Sequence, residues 1–242
     1  MLKKTVFTLI GLIALLSLLC SIAASTLLNP VTMEDAFAGI PAEDRHFIEE
    51  RFGIVPAQYP AYASSLTAYL SGIGSAAVLK GAGGTETPAF TDSEDRQNAH
   101  LAEVRGLFSL MVSMRYWGGG GALCVLAAIY LFCHVKKRRF PGEEILDGFA
   151  LGGAILLVLI LAAAVWGLID FSSLFTAFHR VAFPGSTLWQ LSRERHLLMA
   201  LMPDSFFLFY AKKLIIALLP VIGIMVFLAV AAVKFRSKKA PQ

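Results

Sequence analysis

The chain has 242 residues, of which 57% are hydrophobic and only 16% are charged, and its net charge at pH 7 is +4. Ordinary globular domains contain about 45–50% apolar and about 25% charged residues, so this composition excludes a typical soluble domain. The basic residues are concentrated beside long apolar runs, which is a membrane-topology pattern and argues against nucleic-acid binding.

Four apolar runs are long enough to cross a bilayer, since one crossing takes about 20 apolar residues. The sequence therefore predicts an α-helical polytopic membrane protein with four transmembrane helices and a small extracytoplasmic cap. The predicted segments are transmembrane helix 1 (residues 1–28), the cap and a lead-in helix (29–113), transmembrane helix 2 (114–134), a basic cytoplasmic loop (135–147), transmembrane helix 3 (148–169), an outer interfacial segment (170–207), transmembrane helix 4 (208–233) and a cytoplasmic tail (234–242).

The placement of lysine and arginine predicts the orientation. Basic residues precede the first apolar run, at Lys3 and Lys4, and they follow the second and fourth runs, at 136–139 and 234–239. Positive segments stay on the cytoplasmic side, so both termini are expected inside and the cap outside. The first run is longer than the core of a cleaved signal peptide, and we expect it to remain as an anchor.

Turn and capping residues predict the local structure of the cap. A proline at its start and a glycine at its end favour one helix over residues 41–53, and a second short helix is expected over 62–70. Residues 72–84 are rich in glycine, which indicates a hairpin or a mobile loop. A capping box at residues 91–94 should start a helix that runs into the second span.

Later segments carry three further local signals. The glycines at 118–121 permit either a bend or very close helix packing. Residues 193–202 have the pattern of an amphipathic surface helix, and Pro220 should kink the fourth transmembrane helix.

Histidine is the residue type that offers chemistry outside the membrane. Four histidines belong to the outer segments, namely His46, His100, His179 and His196. His100 begins the helix leading into the second span and His179 follows the third span, so the two imidazoles meet if those spans are neighbours. Histidine serves as general base, general acid or hydrogen-bond donor near neutral pH. A packed, hydrogen-bonded histidine is the more common alternative for any single position.

Two stretches and their spacing resemble a known family, the bacterial lipoprotein intramolecular transacylases (Lit). Residues 98–108 (NAHLAEVRGLF) are similar to the family's His-Met-x-Asp-Val-Lys stretch. Residues 170–183 (DFSSLFTAFHRVAF), followed by Trp189 and by 202–207 (MPDSFF), are similar to its Phe-His-x-x-Phe-Phe, Trp and Pro-Glu-x-Phe-Phe series. The chain departs from the pattern at Glu103, at Arg105 and on both sides of Trp189.

The resemblance implies an acyltransferase. In the family, the sn-2 acyl chain of a diacylglyceryl lipoprotein moves to the α-amino group of its N-terminal cysteine, which gives a lyso-form lipoprotein. The resemblance assigns catalysis to His100 and His179. We expect His179 as the base and His100 as the oxyanion donor or proton carrier, with exchanged roles left open.

The remaining expectations concern substrate, cofactor and location. The predicted substrate contacts are Phe175, Phe178, Phe183, Trp189 and Arg105. The implied partners are diacylglyceryl-modified lipoproteins and membrane lipid, with no nucleic acid, and neither a metal nor a cofactor is expected. The site is expected on the extracytoplasmic side of the bacterial plasma membrane.

Two other functions are compatible with the residues alone. One is a non-catalytic binding or assembly protein whose outer cap docks a partner. The other is a histidine-based metal transporter, which is disfavoured because the spans carry no run of acidic or histidine residues.

Overall fold

The computed structural model describes residues 2–73, 79–80, 86–87 and 96–237. The helices are α1 (Leu2–Leu27), α2 (Pro30–Ala38), α3 (Ala42–Phe52), α4 (Tyr59–Leu70), α5 (Arg96–Met114), α6 (Gly120–Val135), α7 (Gly142–Ile169), α8 (Phe171–Ala182), α9 (Leu197–Ala200) and α10 (Asp204–Ser237). A two-residue antiparallel ladder joins β1 (Leu79–Lys80) to β2 (Glu86–Thr87), with Leu79 opposite Thr87. The α-helical architecture predicted from the sequence is confirmed.

Among the residues that the structure describes, four helices are long and apolar enough to cross a membrane. They are Lys4–Leu27, the continuous helix Arg96–Val135, Gly142–Ile169 and Asp204–Phe235. Their large apolar side chains are widely exposed, as at Leu123, Val158 and Phe227. Surfaces of this kind are costly in water but suit a lipid environment, so the predicted number of four transmembrane helices is confirmed.

The helix Arg96–Val135 is about twice as long as a bilayer core requires. Its 40 residues extend about 60 Å at 1.5 Å per residue, against a hydrocarbon thickness of about 30 Å. Its charged residues all lie at or before Arg115, and the stretch from Tyr116 to Val135 is apolar. We therefore take 116–135 as the spanning part, and His100 lies in the polar half before it.

The chain divides into two compact units. The span unit comprises Met1–Ile22, Met111–Thr176 and Leu218–Gln242, and the cap unit comprises Ala23–Leu110 and Ala177–Ala217.

Glycines bring α1 and α7 together in the span unit. A Cβ atom added at Gly148 would lie 2.5 Å from the carbonyl carbon of Phe7, and one added at Gly152 would lie 2.8 Å from the backbone nitrogen of Leu12. Spaced four residues apart, the two glycines form one small face of α7, which lets the helix backbones touch.

Aromatic and aliphatic side chains form the core of the cap unit. Phe37, Ile48 and Tyr62 are at most 1% exposed, and the Phe37 ring stacks at 5.6 Å on that of Phe206. Leu101 brings the start of α5 into the same core. The part of α5 that carries His100 is therefore held by hydrophobic packing.

The local predictions for the cap agree with the observed helices. The helix expected over 41–53 is α3, and Gly53 ends it in the left-handed conformation with a φ of 68°. The helix expected over 62–70 is α4, which starts earlier at Tyr59. The hairpin alternative for 72–84 agrees with the short β1–β2 ladder. The capping box at 91–94 lies outside the described residues.

The amphipathic helix predicted over 193–202 is wrong, because only Leu197–Ala200 is helical. Arg193 instead forms an ion pair with Asp44 at 2.6 Å and stacks over the Phe47 ring at 4.4 Å. These tertiary contacts hold the segment as turns. At Pro220 helix α10 continues without interruption.

Of the two alternatives considered for the glycine run, very close helix packing is present, and the run also contains a change of helix type. The segment Arg115–Gly119 forms a π-helical turn between α5 and α6. A Cβ atom at Gly118 would also collide with the hydroxyl of Ser17. The run therefore combines a local change of helix geometry with a close contact to α1.

Candidate active site

The cap unit brings two histidines together away from solvent. The ring centroids of His100 and His179 lie 5.8 Å apart with an interplanar angle of 39°. Each of the two residues is only 7% exposed. The expectation that the two imidazoles meet is confirmed, and a pair this close can act on one small reacting group.

Helix α8 carries His179 on its protected face. Phe178 and Val181 are 50% and 82% exposed, whereas His179 between them is buried. The Phe178 ring lies edge-on to His179 at 5.3 Å. This division between an apolar exposed face and a buried histidine explains why the sequence places one imidazole among phenylalanines.

Aromatic rings enclose the pair. Phe183 is 5.2 Å from His100 and 5.7 Å from His179, and Trp189 is 5.1 Å from His179. The indole N–H of Trp189 donates to the backbone oxygen of Ser186 at 3.0 Å, which fixes the ring orientation. Such walls exclude water and present flat apolar surfaces to a ligand.

Glu103 provides the carboxylate that faces the pair. Its Oε2 atom lies 3.3 Å from Nδ1 of His100, one turn away on α5. Burial is the main influence on the pKa of His100 and lowers it. The hydrogen bond that His100 shares with the Glu103 carboxylate raises this pKa, and the nearby His179 lowers it. The net pKa lies below the ordinary histidine value, so His100 is neutral at neutral pH.

Two residues that hold the surrounding loop were missed by the sequence analysis. The side chain of Arg96 donates to both the backbone oxygen and the hydroxyl of Thr187, two residues before Trp189. Gln97 is buried, and its side-chain oxygen accepts from the backbone N–H of Leu198 at 3.2 Å. The spacing of Gln97 and His100, three residues apart on a helix, was the available signal for a shared buried face.

Some of the predicted substrate contacts lie at the histidine pair, and others have contacts elsewhere. Phe178, Phe183 and Trp189 all touch His179. The guanidinium of Arg105 lies 4.8 Å above the Tyr69 ring and donates to the backbone oxygen of Gly72 at 3.0 Å.

Phe175 belongs to the span unit, where its ring lies 6.0 Å from that of Phe171. The substrate roles of all five residues stay predictions.

Metal ligands are not grouped in the part of the chain that the structure describes. Within those residues there is no cluster of three or more histidine, cysteine, aspartate or glutamate side chains that could hold an ion. Two imidazoles and a carboxylate can transfer protons and form hydrogen bonds.

A family model described as "Lipoprotein intramolecular transacylase Lit" matches residues 10–207. The chain belongs to the Lit family. The match includes both histidines, Glu103 and the aromatic walls. The Lit family name indicates a transacylase. No curated protein matches the chain significantly.

Solved Lit structures share the fold. The in meso structure of the membrane-integral transacylase Lit from Bacillus cereus matches with a TM-score of 0.63 and 17% identity, covering 98% of each chain. A variant of that protein with a histidine replaced by arginine matches with a TM-score of 0.57 and 16% identity, covering 97% of this chain and 94% of the other. The chain described here is thus an integral, multi-pass membrane protein with the Lit fold.

Proposed function

We propose that this protein moves the sn-2 acyl chain of a diacylglyceryl lipoprotein to the α-amino group of its N-terminal cysteine. The observation that carries the proposal is the buried histidine pair, 5.8 Å apart, in a member of the Lit family. A solved Lit structure with a substituted histidine also points to this residue type.

We assign the role of base to His100 and that of oxyanion donor to His179. This is the reverse of the assignment expected first from the sequence, where exchanged roles were left open. When Nδ1–H of His100 donates to Glu103, the opposite ring nitrogen has a free lone pair and can accept a proton. The lowered pKa keeps that nitrogen unprotonated at neutral pH. His179 then provides the N–H that stabilises the oxyanion.

The reaction needs only a relocation of atoms within one molecule. The neutral amine attacks the sn-2 ester carbonyl while His100 takes one proton from the nitrogen. The tetrahedral oxyanion accepts a hydrogen bond from His179 and then collapses, which breaks the ester C–O bond. The departing glyceryl oxygen takes the proton back from His100, so an amide and a free hydroxyl form and neither histidine changes overall.

Attack closes a ring of about eight atoms, so holding the substrate in the reactive conformer is a main task of the protein. The rings of Phe178, Phe183 and Trp189 are suited to clamp the thioether, the glyceryl group and the first carbons of the acyl chain. Phe175 and Arg105 are further candidates for this contact. Burial of both histidines disfavours attack by water, which would release a fatty acid.

We place the site on the extracytoplasmic side of the bacterial plasma membrane. The support is the distribution of Lys and Arg between the loops, with the residues at 136–139 on the opposite side from the cap. Reporter fusions after Arg139 and after Gln242 are both expected to report the cytoplasm. A fusion after Arg139 that reports the outer side would reverse the assignment.

The deciding experiment uses the purified, membrane-reconstituted protein and a synthetic diacylglyceryl lipopeptide. Because the acyl chain stays in the molecule, the intact mass does not change, and tandem mass spectrometry must locate it on the amine. Conversion is expected with wild type, in the presence of EDTA, and not with His100→Ala.

A lipopeptide that keeps its free amine with wild type would reject the acyl transfer. If both histidine variants also retain the cellular function while changes to the cap surface abolish it, the protein is a binding or assembly factor instead.

A further inference from the structure

We propose that a polar cleft beside the histidine pair binds the peptide that follows the lipidated cysteine and prefers acidic residues there. This inference rests on the proposed acyl transfer and names a determinant of its substrate choice. The cleft has a volume of about 540 Å³ and is lined by Arg96, Gln190, Ser192, Glu194, Arg195 and His196.

The lining excludes the acyl chains as occupants. All six side chains are polar or ionisable, so a buried hydrocarbon would leave them without hydrogen-bond partners. The aromatic walls around His179 offer the apolar surface in the same unit. A peptide backbone, with a donor and an acceptor at each residue, matches a polar lining.

On both sides of the cleft, lining residues are close in sequence to residues of the histidine site. Arg96 stands one helical turn before His100 on α5, a rise of about 6 Å. Gln190 directly follows Trp189, whose ring contacts His179. Arg96 also ties the two walls together through its bonds to Thr187. An extended chain advances about 3.3–3.6 Å per residue, so the second and third residues after the cysteine are within reach of the cleft.

The charge of the cleft favours acidic residues. Arg96 and Arg195 outnumber Glu194, and Arg51 adds a third guanidinium beside the rim by donating to the backbone oxygen of Glu194 at 2.9 Å. Among the ion pairs of the described residues, Arg193 is engaged by Asp44 but none involves Arg195. The exposed Arg195 is thus available to a carboxylate of the substrate.

The test compares lipopeptides that differ only at the second and third residues, which are both Asp, both Ser or both Lys. Conversion is measured below saturation, in liposomes of phosphatidylcholine and of phosphatidylglycerol. Wild type is expected to convert the Asp peptide about fivefold faster than the Lys peptide, the size expected for one or two exposed ion pairs. The ratio should shrink when the salt concentration is raised.

Two charge-reversal variants distinguish an effect of the cleft from an effect of the overall charge of the cap unit. Arg195→Glu is expected to reverse the preference, and Arg195→Lys to retain it. The matched control Arg45→Glu makes the same charge change on α3, away from the cleft lining, and should leave the preference as in wild type.

Three results would overturn the inference. One is equal conversion of the three peptides by wild type, and another is an equal response to Arg45→Glu and Arg195→Glu. The third is a rate that follows the charge of the lipid and not that of the peptide, which would assign Arg195 to the membrane surface. In all three the acyl transfer still stands. If no peptide is converted, the proposed function fails, and the peptide assignment fails with it.

Discussion

The contacts within the span unit differ in kind from the contacts within the cap unit. In the span unit, α1 and α7 approach through glycines, and the backbone at Gly148 almost touches Phe7. In the cap unit, long polar side chains make specific contacts over an aromatic core, such as Arg193 with Asp44. Close apolar packing is the main contact in the first unit, whereas the second adds hydrogen bonds and ion pairs to a hydrophobic core.

The difference follows from the surroundings of each unit. Lipid provides no hydrophobic driving force between helices, so close packing of small residues has to supply it. The cap is rich in polar groups and buries a core as water-soluble domains do, so polar contacts can be both formed and exposed there. The proposed proton-transfer site lies in the cap unit, so substitutions in the two units should have separable effects.

The largest effect is expected from the histidine pair. His100→Ala and His179→Ala should each lower the rate of acyl transfer by about 10³-fold, since each removes a base or an oxyanion donor. The melting temperature of each variant should stay close to that of wild type. Tandem mass spectrometry of the lipopeptide provides the rate, and His46→Ala, at an exposed position on α3, is the matched control. A rate within tenfold of wild type for either variant would contradict the paired site.

Overpacking of the span unit should come next. Gly148→Val places methyl groups where the Phe7 backbone lies and is expected to lower the free energy of unfolding by about 3 kcal/mol. Thermal unfolding in detergent measures this. Gly223→Val on α10 is the control, because apart from its chain neighbours and its own helix backbone no atom lies within 4 Å of a Cβ added there. Equal stability of the two variants would show that the glycine contact does not hold the unit.

Glu103→Gln should have a moderate effect on rate and a distinctive effect on pH dependence. Loss of the carboxylate weakens His100 as a base, and we expect a rate about tenfold lower. Since Glu103 raises the pKa of His100, its removal lowers that pKa further.

Protonation of His100 should therefore lower the reaction rate at a lower pH in the variant than in wild type. The limb due to the substrate amine, at about pH 7.7–8.0, should not move. Profiles of kcat/KM measure both limbs, with Glu50→Gln on the exposed side of α3 as control. A shift of the histidine limb to higher pH would refute the role of Glu103.

Arg105→Ala should have the smallest effect. Loss of its contact with the Tyr69 ring is expected to lower the free energy of unfolding by about 1 kcal/mol. If Arg105 also contacts substrate, KM should rise by a small factor while kcat stays constant. Tyr69→Leu removes the ring partner together with core packing, so it should lower the free energy of unfolding by at least as much, without the change in KM. A loss of kcat in Arg105→Ala would mean that the residue acts on the reaction itself.

Local sequence patterns predicted much of this molecule. The four membrane-length helices, α3 with its terminating Gly53, and the meeting of His100 with His179 were all expected and are present. Each depends on nearby residues or on a family pattern, such as the phenylalanines around His179. The amphipathic pattern at 193–202 was misleading, because it does not reveal that Arg193 would pair with Asp44.

The sequence by itself determined that the chain belongs in a membrane and which histidines stand outside the apolar runs, because hydropathy and charge act over short windows. Only the tertiary structure decided that Arg96 holds Thr187, and that Gly118 serves for close packing as well as for a π-helical turn. These outcomes depend on distances between groups, often far apart in the chain, which local periodicity does not encode.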